Sequence, residues 1–160
     1  MRPVHVIVGV LALSLNAGSG LFGAWCWWRA QPNPWFWRVL RAGQAVVVLE
    51  AALGGVYQLI GPKSPSIHVL YGLLPLAVSF VAEQLRIASA QMVLDQRGFA
   101  SPEEVGALPE EDQRHVVVAI VQREIGVMVL ASVVIGILLA RILGKKPAAP
   151  AVAQKSATPT

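Results

Sequence analysis

The stretch SIHVLYGLLPLAVSFVAEQLR, residues 66–86, decides the fold class of this chain. Its first 17 residues contain no Asp, Glu, Lys or Arg. The run is too long for a strand and lacks the alternation of apolar and polar residues that a half-buried strand shows. A helix needs about 20 mostly apolar residues to cross a bilayer. The stretch therefore predicts a membrane-spanning helix, which continues to about residue 94.

Three further segments have the same character, at about residues 4–28, 39–60 and 110–143. We therefore predict an all-α integral membrane protein, a four-transmembrane-helix bundle that occupies residues 1–144. The first segment also has the basic start and small residues of a signal peptide. Its apolar run continues to residue 28, however, which favours a retained helix. The Pro/Ala-rich tail of residues 145–160 is predicted to be disordered.

The composition supports a surface that faces lipid. The chain is 55% hydrophobic and 14% charged, whereas a soluble domain carries about 25% charged residues. The formal net charge is +4, but the basic residues stand singly at the ends of apolar runs. That distribution is typical of topology and headgroup anchors rather than of a nucleic-acid surface. We therefore expect the lipid bilayer, and no nucleic acid, as a partner.

The segments between the spans indicate the topology. All five tryptophans flank the Pro-rich turn RAQPNP, residues 29–34, and indole rings prefer the headgroup region. Four spans place both termini on one face of the membrane, which we call face A. The turn and the acidic loop of residues 95–115 then lie on face B. Counts of Arg and Lys favour face B as the cytoplasmic face of a plasma or inner membrane, by a narrow margin.

The acidic loop contains two predicted helix starts, SPEE at 101–104 and LPEED at 108–112. Proline suits the first turn of a helix, and carboxylates are favourable at the positive end of the helix dipole. The span at 66–94 has 29 residues, which corresponds to a helix of about 43 Å. We therefore expect the third and fourth helices to project from the bilayer on face B.

An internal repeat is a further hypothesis. VHVIVGVLAL, residues 4–13, matches IHVLYGLLPL, residues 67–76, at a constant offset of 63 positions. The match predicts two tandem helical hairpins in parallel orientation. Short apolar segments also match by chance, and the sequence leaves both interpretations open.

Each span carries small and polar residues on one stripe at helical spacing, as close packing between membrane helices requires. The stripes are His5, Gly9, Ala12, Asn16, Gly20 and Gly23 in the first span, Gly43, Val47, Glu50, Gly54 and Tyr57 in the second, His68, Gly72, Pro75, Ser79, Glu83 and Arg86 in the third, and Ala119, Gln122, Gly126, Val133, Gly136 and Ala140 in the fourth.

Two histidines form the first candidate site. His5 and His68 begin the first and third spans, so they are expected at similar depth near face A. Gly9 and Gly72 follow four residues later and leave space beside each ring. Two imidazoles in a helical bundle can hold a b-type haem from opposite faces. The alternative is that both histidines are structural residues near helix ends.

Glu50 is the second candidate, because it lies about ten residues from either end of its predicted span. An acidic side chain at mid-bilayer costs about 2.5–3.5 kcal/mol on insertion scales. It must therefore be paired, protonated or next to water. One interpretation is a buried carboxyl that is hydrogen-bonded to Asn16 or Gln44. The other is a group that carries a proton or a cation.

Four charged residues form the third candidate, at the face-B ends of the third and fourth spans. We expect interhelix ion pairs between Glu83 and Arg123 and between Arg86 and Glu124, which would hold this hairpin together.

The sequence contains no phosphate loop, metalloprotease helix or nucleophile elbow, which favours a protein that is not an enzyme. The function predicted first is a non-catalytic accessory or assembly subunit that docks on other membrane-protein subunits. The alternatives are a b-type haem protein with His5 and His68 as axial ligands, in electron transfer or redox sensing, and a protein that handles protons or ions through Glu50.

Overall fold

The computed structural model describes residues 2–61 and 65–144 of the chain. These residues form five helices and no strand: α1 (Arg2–Trp28), α2 (Pro34–Ile60), α3 (Ser66–Gln96), the short α4 (Pro102–Gly106) and α5 (Glu110–Leu143). The predicted tail of residues 145–160 lies outside the described residues.

The four long helices are each long and apolar enough to cross a membrane. α2 begins at Pro34, five residues before the predicted start at Val39. Asn33 explains the earlier start, because its side chain accepts a hydrogen bond of 2.9 Å from the backbone N–H of Trp35. Proline occupies the first helical position, where its missing N–H has no consequence.

The helices pack as a bundle in which α5 is the central element. α5 packs extensively against both α1 and α3, and α1 also packs against α2, whereas α2 and α3 share a smaller contact. The turn of residues 29–33 marks one end of the bundle, which corresponds to predicted face B and which we call end B. The opposite end, with the starts of α1 and α3, is end A.

Two clusters of buried residues fill the bundle, one near each end. The end-B cluster comprises Phe36, Leu40, Ala82, Ile125, Met128 and Ala131, and the end-A cluster comprises Ala12, Val47, Ile135 and Leu139. α5 contributes to both clusters. Its buried face therefore carries large side chains, and the predicted stripe of small residues on this helix is wrong: Val133 and Ala140 are exposed.

The outer surface of the bundle is apolar. Leu21 on α1, Phe80 on α3 and Leu130 on α5 are 77%, 67% and 70% exposed. Exposed apolar side chains on every side of a helical bundle have no favourable contact with water. The surface therefore matches a lipid environment.

α3 and α5 extend well past end B. Gln122 Nε2 of α5 lies 3.4 Å from the backbone oxygen of Trp27, and the Arg86 guanidinium of α3 lies 5.8 Å from the Trp37 ring centroid. α5 begins 12 residues before Gln122, and α3 continues for 10 residues after Arg86. At 1.5 Å per residue, the two helices project by about 18 and 15 Å beyond the turn.

The projecting part has a small core of its own. Leu94, Val105 and Val116 are buried there, and Phe99, Leu108 and Ile120 pack against them. α4 and α5 begin at the two predicted starts in the acidic loop. We call this region, residues 87–121, the end-B hairpin.

The architecture gives no support to the internal repeat. α3 contains Pro75 in its interior and has 31 residues, whereas α1 has 27 residues. α1 packs against two long helices, α2 and α5, whereas the main contact of α3 is with α5 alone. The two hairpins therefore occupy different environments.

Candidate functional site

Three titratable side chains from three helices meet in the end-A half of the bundle. His5 lies in the first turn of α1, His68 in the first turn of α3, and Glu50 ten residues before the end of α2. Gly54, one turn after Glu50, also faces His5: a Cβ at this position would lie 3.7 Å from His5 Cε1, an ordinary van der Waals distance. We call His5, Glu50 and His68 the end-A cluster.

The central contact joins α1 to α2. His5 Nδ1 lies 3.0 Å from Glu50 Oε1, with the two side chains 30% and 16% exposed. The His68 ring also lies beside His5, with ring centroids 6.1 Å apart and ring planes at 68°. His5 therefore contacts both the carboxyl group and the second imidazole.

The polar atoms at this contact are incompletely satisfied. His5 Nδ1 and Glu50 Oε2 are buried and have no hydrogen-bond partner within the part of the chain that the structure describes. The 3.0 Å contact is thus an ion-pair distance without hydrogen-bond alignment. A buried polar group without a partner is costly, so a single proton held between the two groups would stabilise the pair.

The geometry does not favour a haem between the two histidines. Axial ligands must each direct a nitrogen at one iron from opposite sides of a flat macrocycle. Here the rings meet edge to face, and His5 Nδ1 is directed at Glu50. Gly9 is buried, and open space adjoins Gly72. Neither the groove beside Phe80 nor the cavity beside His115 has His5 or His68 in its lining. The described residues also contain no group of three or more His, Cys, Asp or Glu suited to a metal ion.

Neither of the expected amide partners contacts Glu50. Asn16 is buried, and its Nδ2 donates to the Ala12 carbonyl oxygen of its own helix at 2.8 Å. Gln44 Nε2 donates to Glu83 Oε1 at 2.9 Å. The expectation is therefore wrong for both amides, because α1 presents a histidine, and not Asn16, at the level of Glu50.

Glu83 is the centre of a second polar network, nearer end B. Its carboxylate binds the Arg41 guanidinium of α2 through two hydrogen bonds, at 2.5 and 3.2 Å. It also accepts hydrogen bonds from Gln44 and, at 2.9 Å, from Arg86 Nε on its own helix. Each oxygen of Glu83 thus receives two donors, and the network ties α3 to α2.

The expected pair of Glu83 with Arg123 is therefore wrong. The Arg123 guanidinium contacts Met92 and, at 3.3 Å, Gln96 Oε1. Arg123 thus reaches along α3 away from Glu83 and towards the end-B hairpin. The second expected pair is present, since Arg86 Nη1 lies 3.5 Å from Glu124 Oε1 of α5.

Arg41 is the functional residue that the sequence did not identify. It stands three residues before Gln44, so both side chains lie on one side of α2 and bond to each other at 2.7 Å. An arginine and a glutamine at this spacing, inside a predicted span, were the signal that α2 has a polar contact on this side.

We compared the chain with protein-family models, curated proteins and solved structures. No family model, no curated protein and no solved structure matches it. The functional argument therefore rests on the geometry of the chain itself.

Proposed function

We propose that this chain is a multi-pass integral membrane protein that binds and releases protons inside its helical bundle, with Glu50 as the group that carries the proton. His5 and His68 connect Glu50 to face A. The observation that supports this function is the 3.0 Å contact of His5 Nδ1 with Glu50 Oε1, with the His68 ring beside it.

The energetic argument starts from the cost of a charge in the bilayer. A carboxylate at the centre of a membrane helix costs about 2.5–3.5 kcal/mol on insertion scales. Glu50 therefore needs a proton or a cationic partner, and His5 can supply either one. A protonated His5 beside a carboxylate and a neutral His5 beside a carboxyl group both avoid an isolated charge in the bundle.

Proton transfer from His5 to Glu50 needs no other reactant. When the His5 Nδ1–H bond breaks and a Glu50 Oε1–H bond forms, a charged pair becomes a neutral imidazole and a neutral carboxyl group. Tyr57, Tyr71 and Arg141 also lie near end A.

Infrared difference spectroscopy of the protein in vesicles tests the proposal. Between about pH 5 and pH 8, the range in which histidine titrates, the wild type should show a carboxyl C=O band that Glu50→Gln removes. His5→Gln should shift this band, because it removes the partner of the carboxyl group. Glu111→Gln, on the exposed start of α5, is the matched control and should leave the band unchanged.

A titrating carboxyl band that survives in Glu50→Gln would overturn the proposal, and so would the absence of any such band. Circular dichroism of each variant in the same vesicles shows whether the bundle has folded. The band can then be interpreted for folded protein alone.

The end-B hairpin favours a second candidate function, that of an accessory subunit. α3 and α5 project by about 15–18 Å beyond the turn, and the projection has its own buried core. A rigid hairpin outside the bilayer offers a docking surface for another membrane-protein subunit. Extraction in mild detergent should then give a particle larger than the bundle, and Arg114→Glu, at an exposed site on α5, should release it. A wild-type particle that is always monomeric would exclude this function.

A further inference from the structure

A long groove opens on the outside of the bundle between α2 and α3, which pack less closely than α1 and α2 or α3 and α5. Its volume is about 550 Å³, which is within the range of ligand sites, about 300–1,000 Å³. The groove is lined by Gln44, Leu73, Leu76, Ala77, Ser79, Phe80 and Glu83.

The dimensions of the groove suit one chain of a lipid. Its lining on α3 extends from Leu73 to Glu83, ten residues, or about 15 Å of helix. The hydrocarbon core of a bilayer is about 30 Å thick, so the groove covers about the depth of one leaflet. Its wall is apolar except for Ser79, whose hydroxyl donates to the Pro75 carbonyl oxygen, and for Gln44 and Glu83 at the end that approaches end B.

Arg41, at this polar end, has N–H groups that do not donate to any acceptor among the described residues. Nη1 donates to both Gln44 and Glu83, and Nη2 donates once to Glu83. A guanidinium has five N–H groups, so Nε–H and the second Nη2–H have no acceptor among the described residues. These two N–H groups lie on one edge of the guanidinium and match two phosphate oxygens. The Arg41 side chain is 49% exposed, so that edge is accessible.

A second cation stands one turn nearer to end B. Arg38 is exposed, and its guanidinium carbon lies 4.7 Å from the centroid of the Trp35 ring. Tryptophan marks the headgroup level of a membrane helix. Arg38 and Arg41 therefore place positive charge between the headgroup level and the upper end of the groove. The negative charge of Glu83 at this end is offset by the Arg41 and Arg86 guanidinium groups, which both bind its carboxylate.

We propose that the groove between α2 and α3 binds an anionic glycerophospholipid of the end-B leaflet, with an acyl chain along Leu73, Ala77 and Phe80 and the phosphate on Arg41 and Arg38. The site rests on membrane insertion but not on proton binding at Glu50, so a failure of one proposal leaves the other standing.

Native mass spectrometry of the delipidated full-length protein in detergent tests the site. The probes are phosphatidylglycerol and phosphatidylcholine with identical acyl chains. Wild-type protein should retain one phosphatidylglycerol in preference to phosphatidylcholine. Arg38→Gln should reduce that preference about fivefold, the effect of one basic residue near a membrane surface. Arg29→Gln is the matched control, because Arg29 also stacks on a tryptophan at end B, 4.9 Å from the Trp25 ring, but lies after α1 and away from the groove.

A second pair of variants tests the acyl part of the site. Ala77→Phe fills the groove and should abolish retention of both lipids, whereas Ala17→Phe adds the same ring at an exposed position of α1 and should not. Both substitutions are on the surface, and thermal melting of each variant reports whether it folds.

Three results would overturn the proposal. The first is equal retention of the two lipids by the wild type. The second is unchanged retention in a folded Ala77→Phe variant. The third is a lipid-free dimer that Ala77→Phe dissociates, since a second copy of the chain would then cover the groove.

Discussion

The Glu83 network gives the sharpest test of the fold, because sequence and structure assign different partners to one carboxylate. The perturbation is a pair of double-mutant cycles, Glu83→Gln with Arg41→Gln and Glu83→Gln with Arg123→Gln. The structure predicts coupling in the first cycle and additivity in the second.

The coupling free energy expected in the first cycle follows from the burial of the Glu83–Arg41 pair. Exposed ion pairs contribute about 0.2–1 kcal/mol, and breaking a fully buried pair costs about 3–5 kcal/mol. The side chains of Glu83 and Arg41 are 22% and 49% exposed, and two hydrogen bonds join them. We therefore expect a coupling free energy of about 1.5 kcal/mol, between those limits.

The second cycle should give a coupling within about 0.3 kcal/mol of zero, the usual limit for separate sites. Arg123 contacts Met92 and Gln96. Met92 stands nine residues after Glu83 on α3, which corresponds to about 13 Å along the helix. The two groups share no hydrogen-bonding partner among the described residues.

The assay is reversible unfolding of the protein in mixed detergent micelles, followed by tryptophan fluorescence and far-ultraviolet circular dichroism. The five tryptophans flank the turn between α1 and α2, so fluorescence reports on end B, where the network lies. A first cycle that is additive within about 0.3 kcal/mol, or a second cycle coupled by more than about 1 kcal/mol, would refute the assignment of Arg41 as the partner.

Three further predictions concern packing, the end-B hairpin and acid. Gly23→Ala should lower the free energy of unfolding by about 1–3 kcal/mol, because the new Cβ would lie 2.6 Å from Val129 Cγ2. The control is Gly18→Ala, whose new Cβ has no atom within 4 Å. This variant should not lower the free energy of unfolding in the same assay. Gln113→Ala should speed amide hydrogen exchange at residues 102–110, because it removes two hydrogen bonds to backbone carbonyl oxygens, of 2.8 and 3.0 Å; unchanged exchange would show that these bonds do not hold α4. Two hydrogen bonds lower the pKa of the Glu103 carboxyl, one from the Ser101 hydroxyl and one from the backbone N–H of Glu103. The stability that the Glu103 carboxylate contributes to α4 is therefore fully present above the unfolded-state pKa, about 4.3. It is lost as the pH falls through the lower folded-state pKa. The exchange rate at α4, divided by the intrinsic amide exchange rate at each pH, should rise on acidification in the wild type and stay flat in Glu103→Gln.

The sequence predicted the features that depend on one helix at a time. Length and hydropathy indicated four helices suited to a membrane, and the structure has four such helices. The stripe on α1 was also readable, since Gly9, Ala12, Asn16, Gly20 and Gly23 are all buried. Small residues on a narrow stripe leave a membrane helix few ways to approach its neighbours closely.

Side-chain partners between helices were not readable from the sequence. The sequence treated the histidine pair and Glu50 as two separate candidate sites. In the structure they form one site, because His5 of α1 contacts Glu50 of α2. Glu83 was assigned to α5 because one loop joins α3 to α5, yet its partner is Arg41 of α2.

The packing face of α5 was predicted wrongly for the same reason, since it depends on contacts between helices. The small residues at Gly126 and Gly136 suggested the packing face, but Met128, Ser132 and Ile135 are the buried residues. α5 stands between α1 and α3, so large side chains must fill the space on its inner side.

The sequence by itself determined which segments form helices long and apolar enough to cross a membrane, because a bilayer requires every backbone polar group to be satisfied within its own helix. Only the tertiary structure decided which helices touch and how each is rotated. Lipid tails are as apolar as leucine, so hydrophobicity does not distinguish a helix face that meets lipid from one that meets protein. The positions of Glu50 beside His5 and of Glu83 beside Arg41 follow from that packing.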